Sequence, residues 1–143
     1  MGNARRLDDV IVTQLVAAQS ATTSALASTP SGSWVDIENY DGDLLIVVNV
    51  GGGTFSNLSI QPQMSSANTG AGATNCLDPR GAVLTITAAG IYGLALNVNN
   101  QPLPGSPALP NFIGLTSTLT GTNAVMSAAL IARGRAWSSG AAL

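Results

Sequence analysis

GDLLIVVNVGGGTFSNLSIQPQM, residues 42–64, contains two apolar patterns separated by three glycines. Residues 44–50 are apolar except for one asparagine and rich in β-branched side chains, which is typical of a strand covered on both faces. From 54 to 64 apolar and polar residues alternate, as in a strand with one face towards a core. Pro62 in this second run indicates a strand end or an edge strand. The stretch therefore predicts two neighbouring strands that pair with each other, with the glycines turning the chain between them.

A glycine-rich loop after a buried strand is also how many nucleotide-binding folds begin. Such a loop needs a helix directly after it, because the helix N-terminus supplies the amide groups and the partial positive charge that bind phosphate. TFSNLSIQ, which follows Gly53, has a period of two and no helical stripe. Neither the Walker spacing nor a GxGxxG pattern is present. The glycines therefore indicate a turn or bulge, not a phosphate site.

Further strands are predicted on both sides of this stretch. SWVDIENY (33–40) alternates, and the Asp41-Gly42 pair after it is a strong hairpin signal. Residues 82–98 divide at Ala89-Gly90 into two strands, or form one strand that bends there. Two final strands, 112–121 and 124–137, are joined at Gly121-Thr122-Asn123.

The segment VIVTQLVAAQSATTSALAS (10–28) is ambiguous. Its alanines and the preceding Asp8-Asp9 are compatible with a helix. The opening VIVT and the later threonines favour an extended chain, so we predict a strand.

About eight short strands at regular spacing, joined in places by long connections, predict an all-β fold: an antiparallel β-sandwich of the jelly-roll type. An immunoglobulin-like sandwich is the alternative, although the cysteine pair of antibody domains is absent. We expect an extended N-terminal arm at 1–9, a single β-sandwich domain at 10–137 and a C-terminal tail at 138–143.

The composition restricts the possible functions. Only 8% of the residues are charged, the net charge is −2, and the chain contains no histidine and no lysine. This balance argues against nucleic acid as a partner, because that affinity comes largely from Lys and Arg contacts to phosphates. A surface with so little charge is poorly protected against association, which predicts that partner proteins cover much of it.

Cysteine and hydropathy patterns point to a soluble protein of a reducing compartment. The single Cys76 excludes an internal disulfide and a zinc cluster, and we expect it to be a small buried apolar residue. No signal peptide is visible, since Arg5-Arg6 is followed by Asp8-Asp9 instead of an apolar segment. The uncharged stretches 44–77 and 81–132 are interrupted by Gly, Pro and Asn, so we expect no membrane span.

Four carboxylates within eight residues form what we call the acidic cluster: Asp36, Glu38, Asp41 and Asp43. Such a group can hold Ca²⁺ or act as an acid/base pair on a glycosidic bond. EF-hand spacing is not met, however, and aromatic residues that would stack on a sugar are scarce. We expect a solvated strand face and an Asp-Gly turn, with no bound metal or cofactor; the cluster is the only weak metal candidate.

No catalytic arrangement is available, because Ser-His-Asp and Ser-Lys mechanisms need residues that the chain lacks. We therefore predict that the protein is not an enzyme. Arginine and tryptophan are enriched at protein interfaces, so the chain ends supply interface candidates. These candidates are Arg5, Arg6, Arg133, Arg135 and Trp137.

SGSWVDIENYDGDLLIVVNVGGG (31–53), the alternating strand after it and the closing AVMSAALIARGR (124–135) resemble small virion proteins of tailed bacteriophages. The matching positions are Trp34, Val35, Asp36, Tyr40, Gly42, Leu44, Asn49 and Gly51. That family includes the jelly-roll cement, or decoration, proteins of short-tailed phages. The resemblance implies a non-enzymatic protein without catalytic residues, bound to the outer capsid surface and assembled in the host cytoplasm. It implies the major capsid protein as partner and dimeric self-association.

Two other functions remain open for this sequence. A head-fibre or tail-associated receptor-binding module would also be a phage β-sandwich. A carbohydrate-binding or calcium-dependent lectin-like domain would use the acidic cluster.

Overall fold

The computed structural model describes residues 10–21, 26–27, 34–37, 40–76, 83–97 and 112–134. These residues form strands and turns. The strands are β1 (Val10–Ala21), β2 (Leu26–Ala27), β3 (Val35–Asp36), β4 (Tyr40–Ser65), β5 (Thr74–Asn75), β6 (Leu84–Ile86), β7 (Gly90–Asn97) and β8 (Phe112–Gly134).

The centre of the fold is an antiparallel ladder between the two long strands β4 and β8. It runs from Tyr40 opposite Gly134 to Ser65 opposite Phe112. The first half of β4 and the second half of β8 are flanked by β7 and β1, and we call this four-stranded layer sheet I. The other halves are flanked by β5 and β6 on one side and by β2 and β3 on the other, and we call this layer sheet II.

The two layers pack against each other as a sandwich. In each, alternate residues are buried, and the buried residues of both layers belong to one hydrophobic cluster. Ile46 in sheet I and Ile60 in sheet II are both completely inaccessible to solvent. Since the described residues contain no helix that could cover these side chains, each layer must cover the other. The strand orders β1-β8-β4-β7 and β2/β3-β8-β4-β5/β6 are those of a jelly roll, so the predicted fold class is confirmed.

The glycines of β4 mark the place where the chain passes from sheet I to sheet II. The prediction that they turn the chain into a hairpin is wrong, because residues 44–50 and 57–65 both pair with β8. The ladder contains extra residues here, at Gly51 and Ser56 on β4 and at Thr122 on β8. Side chains alternate between the two faces, so two extra residues leave the same set of β4 positions, odd or even, facing the core. One extra residue in β8 exchanges the two sets. Accordingly, even-numbered residues are buried along β4, while β8 changes from odd to even after Leu119.

The last two predicted strands are one continuous strand, for the same reason. Residues 112–134 form the single strand β8, and Gly121-Thr122-Asn123 is a bulge within it instead of a connection. Asn123 closes the bulge, because its Oδ1 accepts a hydrogen bond of 3.0 Å from the Thr54 N–H.

Three further local predictions differ from the structure. Asp41-Gly42 is not a hairpin turn but lies in a register shift between Asp41 and Leu44 within β4. Pro62 is buried inside β4, opposite Leu115 and between the residues paired with β6 and those paired with β5, so its missing N–H interrupts neither of these two pairings. The residues 44–50 are covered on one face only, and Leu45 is 40% exposed on the other.

The ambiguous segment 10–28 is extended where it is described, as β1 and β2, which confirms the preference for a strand. The division at Ala89-Gly90 is also present, since β6 ends at Ile86 and β7 begins at Gly90. The predicted arm (1–9) and tail (138–143) lie outside the described residues.

Candidate interaction surface

The acidic cluster is only partly described by the structure. Asp36 in β3 and Asp43 in β4 are exposed, and each has an interaction partner. The backbone of Asp41 lies opposite Arg133, and Glu38 lies outside the described ranges. Among the residues that are described, no group of three or more His, Cys, Asp or Glu side chains is placed to hold a metal ion.

The predicted arginine and tryptophan contacts fall at the ends of the chain. Arg133 belongs to β8, where its backbone pairs with Val10 and Asp41. Arg5, Arg6, Arg135 and Trp137 lie outside the described residues, so their role stays a prediction. Within the described ranges, no helix is long and apolar enough to span a membrane.

The outer face of sheet I is mostly apolar, and three neighbouring rows across it contain no charged residue. Its first row crosses all four strands, because Val12 and Leu45 both lie opposite Ile131, and Leu45 lies opposite Ala95. The second row is Gln14, Ala129, Val47 and Gly93, and the third is Ser127, Asn49 and Ile91. We call these three rows, together with Val125, the apolar face.

Several large side chains of the apolar face project into solvent. Ile91 is 75% exposed and Val12 is 65% exposed. Directly opposed residues in neighbouring strands have Cβ atoms about 5 Å apart, so the side chains of one row form a continuous surface. A contiguous apolar patch of this kind marks an interaction site more often than isolated exposed residues do.

The outer face of sheet II differs in chemistry. Its rows pair Asn57 with Thr120, Ser59 with Thr118 and Gln61 with Thr116. These side chains are uncharged and polar, and some bond within the protein: Asn57 Nδ2 donates to Ser59 Oγ at 3.2 Å, and Gln61 Nε2 donates to the Cys76 carbonyl at 2.8 Å. The two outer faces of the sandwich are therefore unequal, one apolar and the other polar.

One end of the outer face of sheet II is covered by Trp34. A Cβ atom built on Gly114 would lie 2.7 Å from Cδ2 of the Trp34 ring, and one built on Gly70 would also overlap that ring. The glycines therefore allow the indole to lie flat between β8 and the 66–73 turn. The backbone N–H of Trp34 donates a 2.8 Å hydrogen bond to the Asn68 carbonyl, which fixes the turn.

The turn itself is held by the hydroxyl of Ser65, which is completely buried. That hydroxyl donates to the Ala71 carbonyl at 2.7 Å and accepts from the Ala67 N–H at 3.0 Å. The 66–73 turn is thus hydrogen-bonded to the end of β4.

Cys76 lies in the core, as its sequence context suggested. Burial raises the pKa of its thiol from 9.0 to about 12. A thiol that stays protonated at neutral pH is a poor nucleophile, so this side chain offers no chemistry to a substrate.

Comparison with known proteins gives matches of shape only. No family model and no curated protein sequence matches the chain. A protein of Bacillus endospore appendages, which are disulfide-linked pili, is 10% identical over 87% of this chain and 88% of its own, with a TM-score of 0.46. The SPBc2 prophage-derived protein YomS is 9% identical over 87% and 92%, with a TM-score of 0.41. Black queen cell virus has a chain 8% identical over 89% and 70%, with a TM-score of 0.42.

These TM-scores lie below 0.5, so the fold is assigned from the strand pairing and burial of the chain itself. Sequence reasoning missed the apolar face, because Leu45 and Val47 were assigned to a strand buried on both sides. A partial signal was present in β7, where Ile91 lies on the side of the strand opposite to the buried Leu94 and Leu96.

Proposed function

We propose that the chain is a non-enzymatic structural protein of a virion, a cement protein that binds the outside of a phage capsid and stabilises contacts between major capsid subunits. The observation that carries this proposal is the apolar face. A monomeric enzyme or secreted binding domain has no evident use for a charge-free sheet surface with side chains such as Ile91 projecting from it. A protein that works in an assembly does, because its partners cover that surface.

The rest of the surface fits the same role. Both sheets are free of charged side chains over most of their length, and no charge occurs in 44–77 or 81–132. Many weak neutral contacts, repeated over a symmetric shell, can add up to strong attachment. The resemblance of residues 31–53 and 124–135 to virion proteins of tailed phages agrees with this role.

The shell contacts are proposed to come from the two chain ends. Arg133 lies at the end of β8 and Arg135 directly after it, close to Trp137 in sequence, and Arg5 and Arg6 belong to the segment before β1. Arginine makes bidentate hydrogen bonds with carboxylates on a partner, and tryptophan buries a large apolar area. In this proposal the protein assembles in the host cytoplasm with the major capsid protein.

The experiment compares phage shells that carry the protein with shells that lack it. We expect shells without it to open at a lower temperature, and added purified protein to restore the original temperature. The charge-reversing pair Arg133→Glu and Arg135→Glu should bind shells weakly, whereas the matched pair Thr118→Glu and Thr120→Glu on the outer face of sheet II should bind normally. Shells of equal heat stability with and without the protein would refute the cement function.

The head-fibre alternative predicts a different result from the same particles. A fibre module would be present in few copies, and its deletion would abolish adsorption to the host while leaving the heat stability of the shell unchanged.

A further inference from the structure

We propose that the apolar face is the contact surface of a homodimer, and that its occupant is the same face of a second copy of this chain. This inference rests on the proposed assembly function and deepens it by naming the surface and the partner of self-association. It depends only on the outer side of sheet I.

Charge is the first argument for a second copy. The three rows of the apolar face contain no charged residue; the charged positions, Asp43 opposite Asn97 and Arg133 opposite Val10, come one row beyond them. Two copies of a neutral face can meet without opposing like charges and without burying an unpaired one. A partner with an ordinary charged surface would have to desolvate its charges against this face, which is costly.

Shape is the second argument. Large side chains (Val12, Leu45 and Ile91) are interspersed with short ones such as Ala95 and Ala129 in the same rows or in neighbouring rows. Under a two-fold axis each patch meets itself, so the large side chains of one copy can lie over the short ones of the other. Two sheets that pack face to face in this way lie about 10 Å apart and form a mixed apolar layer.

The size of the face predicts how strong the dimer is. Four strands about 4.8 Å apart and about six residues along each strand give a footprint of about 19 Å by about 20 Å. Two such footprints total about 760 Å², which is below the lower limit of about 1,200 Å² for a standard interface. The dimer should therefore be weak in solution, with a dissociation constant on the order of tens of micromolar.

Sedimentation equilibrium of the purified full chain, with no shells present, tests this inference. We expect concentration-dependent dimerisation of the wild type. Ile91→Asp should raise the dissociation constant about tenfold or more, because it buries a charge at the interface. Ile91→Ser is a milder second variant, and Thr118→Asp on the outer face of sheet II is the matched control that should dimerise like the wild type. Circular dichroism and the melting temperature of each variant check that the monomer remains folded.

The outcomes separate this inference from the cement function. A wild type that stays monomeric up to about 1 mM, well above the dissociation constant expected for an interface of this size, would overturn the dimer even if the protein binds shells. Unchanged dimerisation of folded Ile91→Asp, or equal loss in Thr118→Asp, would also overturn it. A monomeric wild type whose shell binding is lost in Ile91→Asp would assign the face to the shell and overturn the second copy as its occupant. A dimeric wild type that binds no shell would refute only the cement function.

Discussion

Alanine substitutions at the three consecutive glycines of β4 should have graded effects on stability, because the backbone and the free space differ at each position. A Cβ atom added to Gly51 would meet no atom within 4 Å, and Gly51 is not among the glycines with positive φ. Gly52 also has open space, but its φ is +147°. Gly53 has a φ of +141°, and a Cβ there would lie 2.8 Å from Cα of Ala124 and overlap the Asn123 carbonyl oxygen.

The magnitudes follow from these differences. Gly51→Ala should change the free energy of unfolding little or raise it by about 0.4–1 kcal/mol, since alanine restricts the unfolded chain. Gly52→Ala should cost about 1–3 kcal/mol, the strain of an L-residue in a sparsely populated backbone region. Gly53→Ala adds an overlap with the β8 backbone, worth about 1–3 kcal/mol more, for a loss of about 2–6 kcal/mol in all.

Urea unfolding at equilibrium, followed by circular dichroism, measures the three free energies under identical conditions. At about 3 °C per kcal/mol, Gly53→Ala should also melt about 10 °C below the wild type. The order of stability should be Gly51→Ala, then Gly52→Ala, then Gly53→Ala. Equal losses at the three positions, or the largest loss at Gly51, would refute the passage of β4 between the sheets as described.

Three other predictions concern the Trp34 contact, the core thiol and the acidic cluster. Gly114→Ala should lower the free energy of unfolding by about 1–3 kcal/mol in the wild type but by almost nothing in a Trp34→Ala background, because the indole that the new methyl group would strike is then absent. Equal losses in the two backgrounds of this double-mutant cycle would contradict the contact. Because burial raises the pKa of the Cys76 thiol, its contribution to stability is fully present below pH 9. Above pH 9 the thiol loses its proton in the unfolded chain but keeps it in the folded protein, so stability should fall as the pH rises towards 12. Between pH 8 and pH 10 the wild type should lose about 1.4 kcal/mol more than Cys76→Ala in urea unfolding, and identical pH profiles would contradict burial of the thiol. For the acidic cluster, the melting temperature in about 1 mM Ca²⁺ should equal that in the presence of a chelator. A calcium site with a dissociation constant of about 0.1 mM would instead add about 1.4 kcal/mol to the free energy of unfolding in about 1 mM Ca²⁺, and this result would favour the lectin-like alternative.

The sequence was sufficient to predict most of the extended segments and, where apolar and polar residues alternate, their inward faces. Burial imposes a period of two on each strand, and the alternation at Leu58, Ile60 and Pro62 shows it directly. The jelly-roll class followed from the number of such segments and from the long connections between some of them.

The sequence could not identify the strand partners. Alternation determines which side of a strand faces the core, but it carries no information about which other strand lies beside it. Residues 44–50 and 55–61 are neighbours in sequence, and a glycine hairpin would have satisfied the same pattern. The actual choice depends on the bulges at Gly51, Ser56 and Thr122, whose effect appears only when β4 and β8 are aligned over their full length.

The candidate surface was hidden for a related reason. An apolar residue that faces a partner has the same sequence signature as one that faces the core, so Leu45 and Ile46 were both assigned to the interior. The structure separates them, since Ile46 is inaccessible and Leu45 is exposed. Interface candidates chosen by residue type, such as Arg5 and Trp137, stay predictions.

Under the proposed function, this chain is a structural component of the capsid exterior. Quantitative mass spectrometry of purified phage particles, with the major capsid protein as internal standard, measures its copy number most directly. We predict a number of copies comparable to that of the major capsid protein, released by treatments that leave the shell closed. A few copies per particle, or none, would contradict the account.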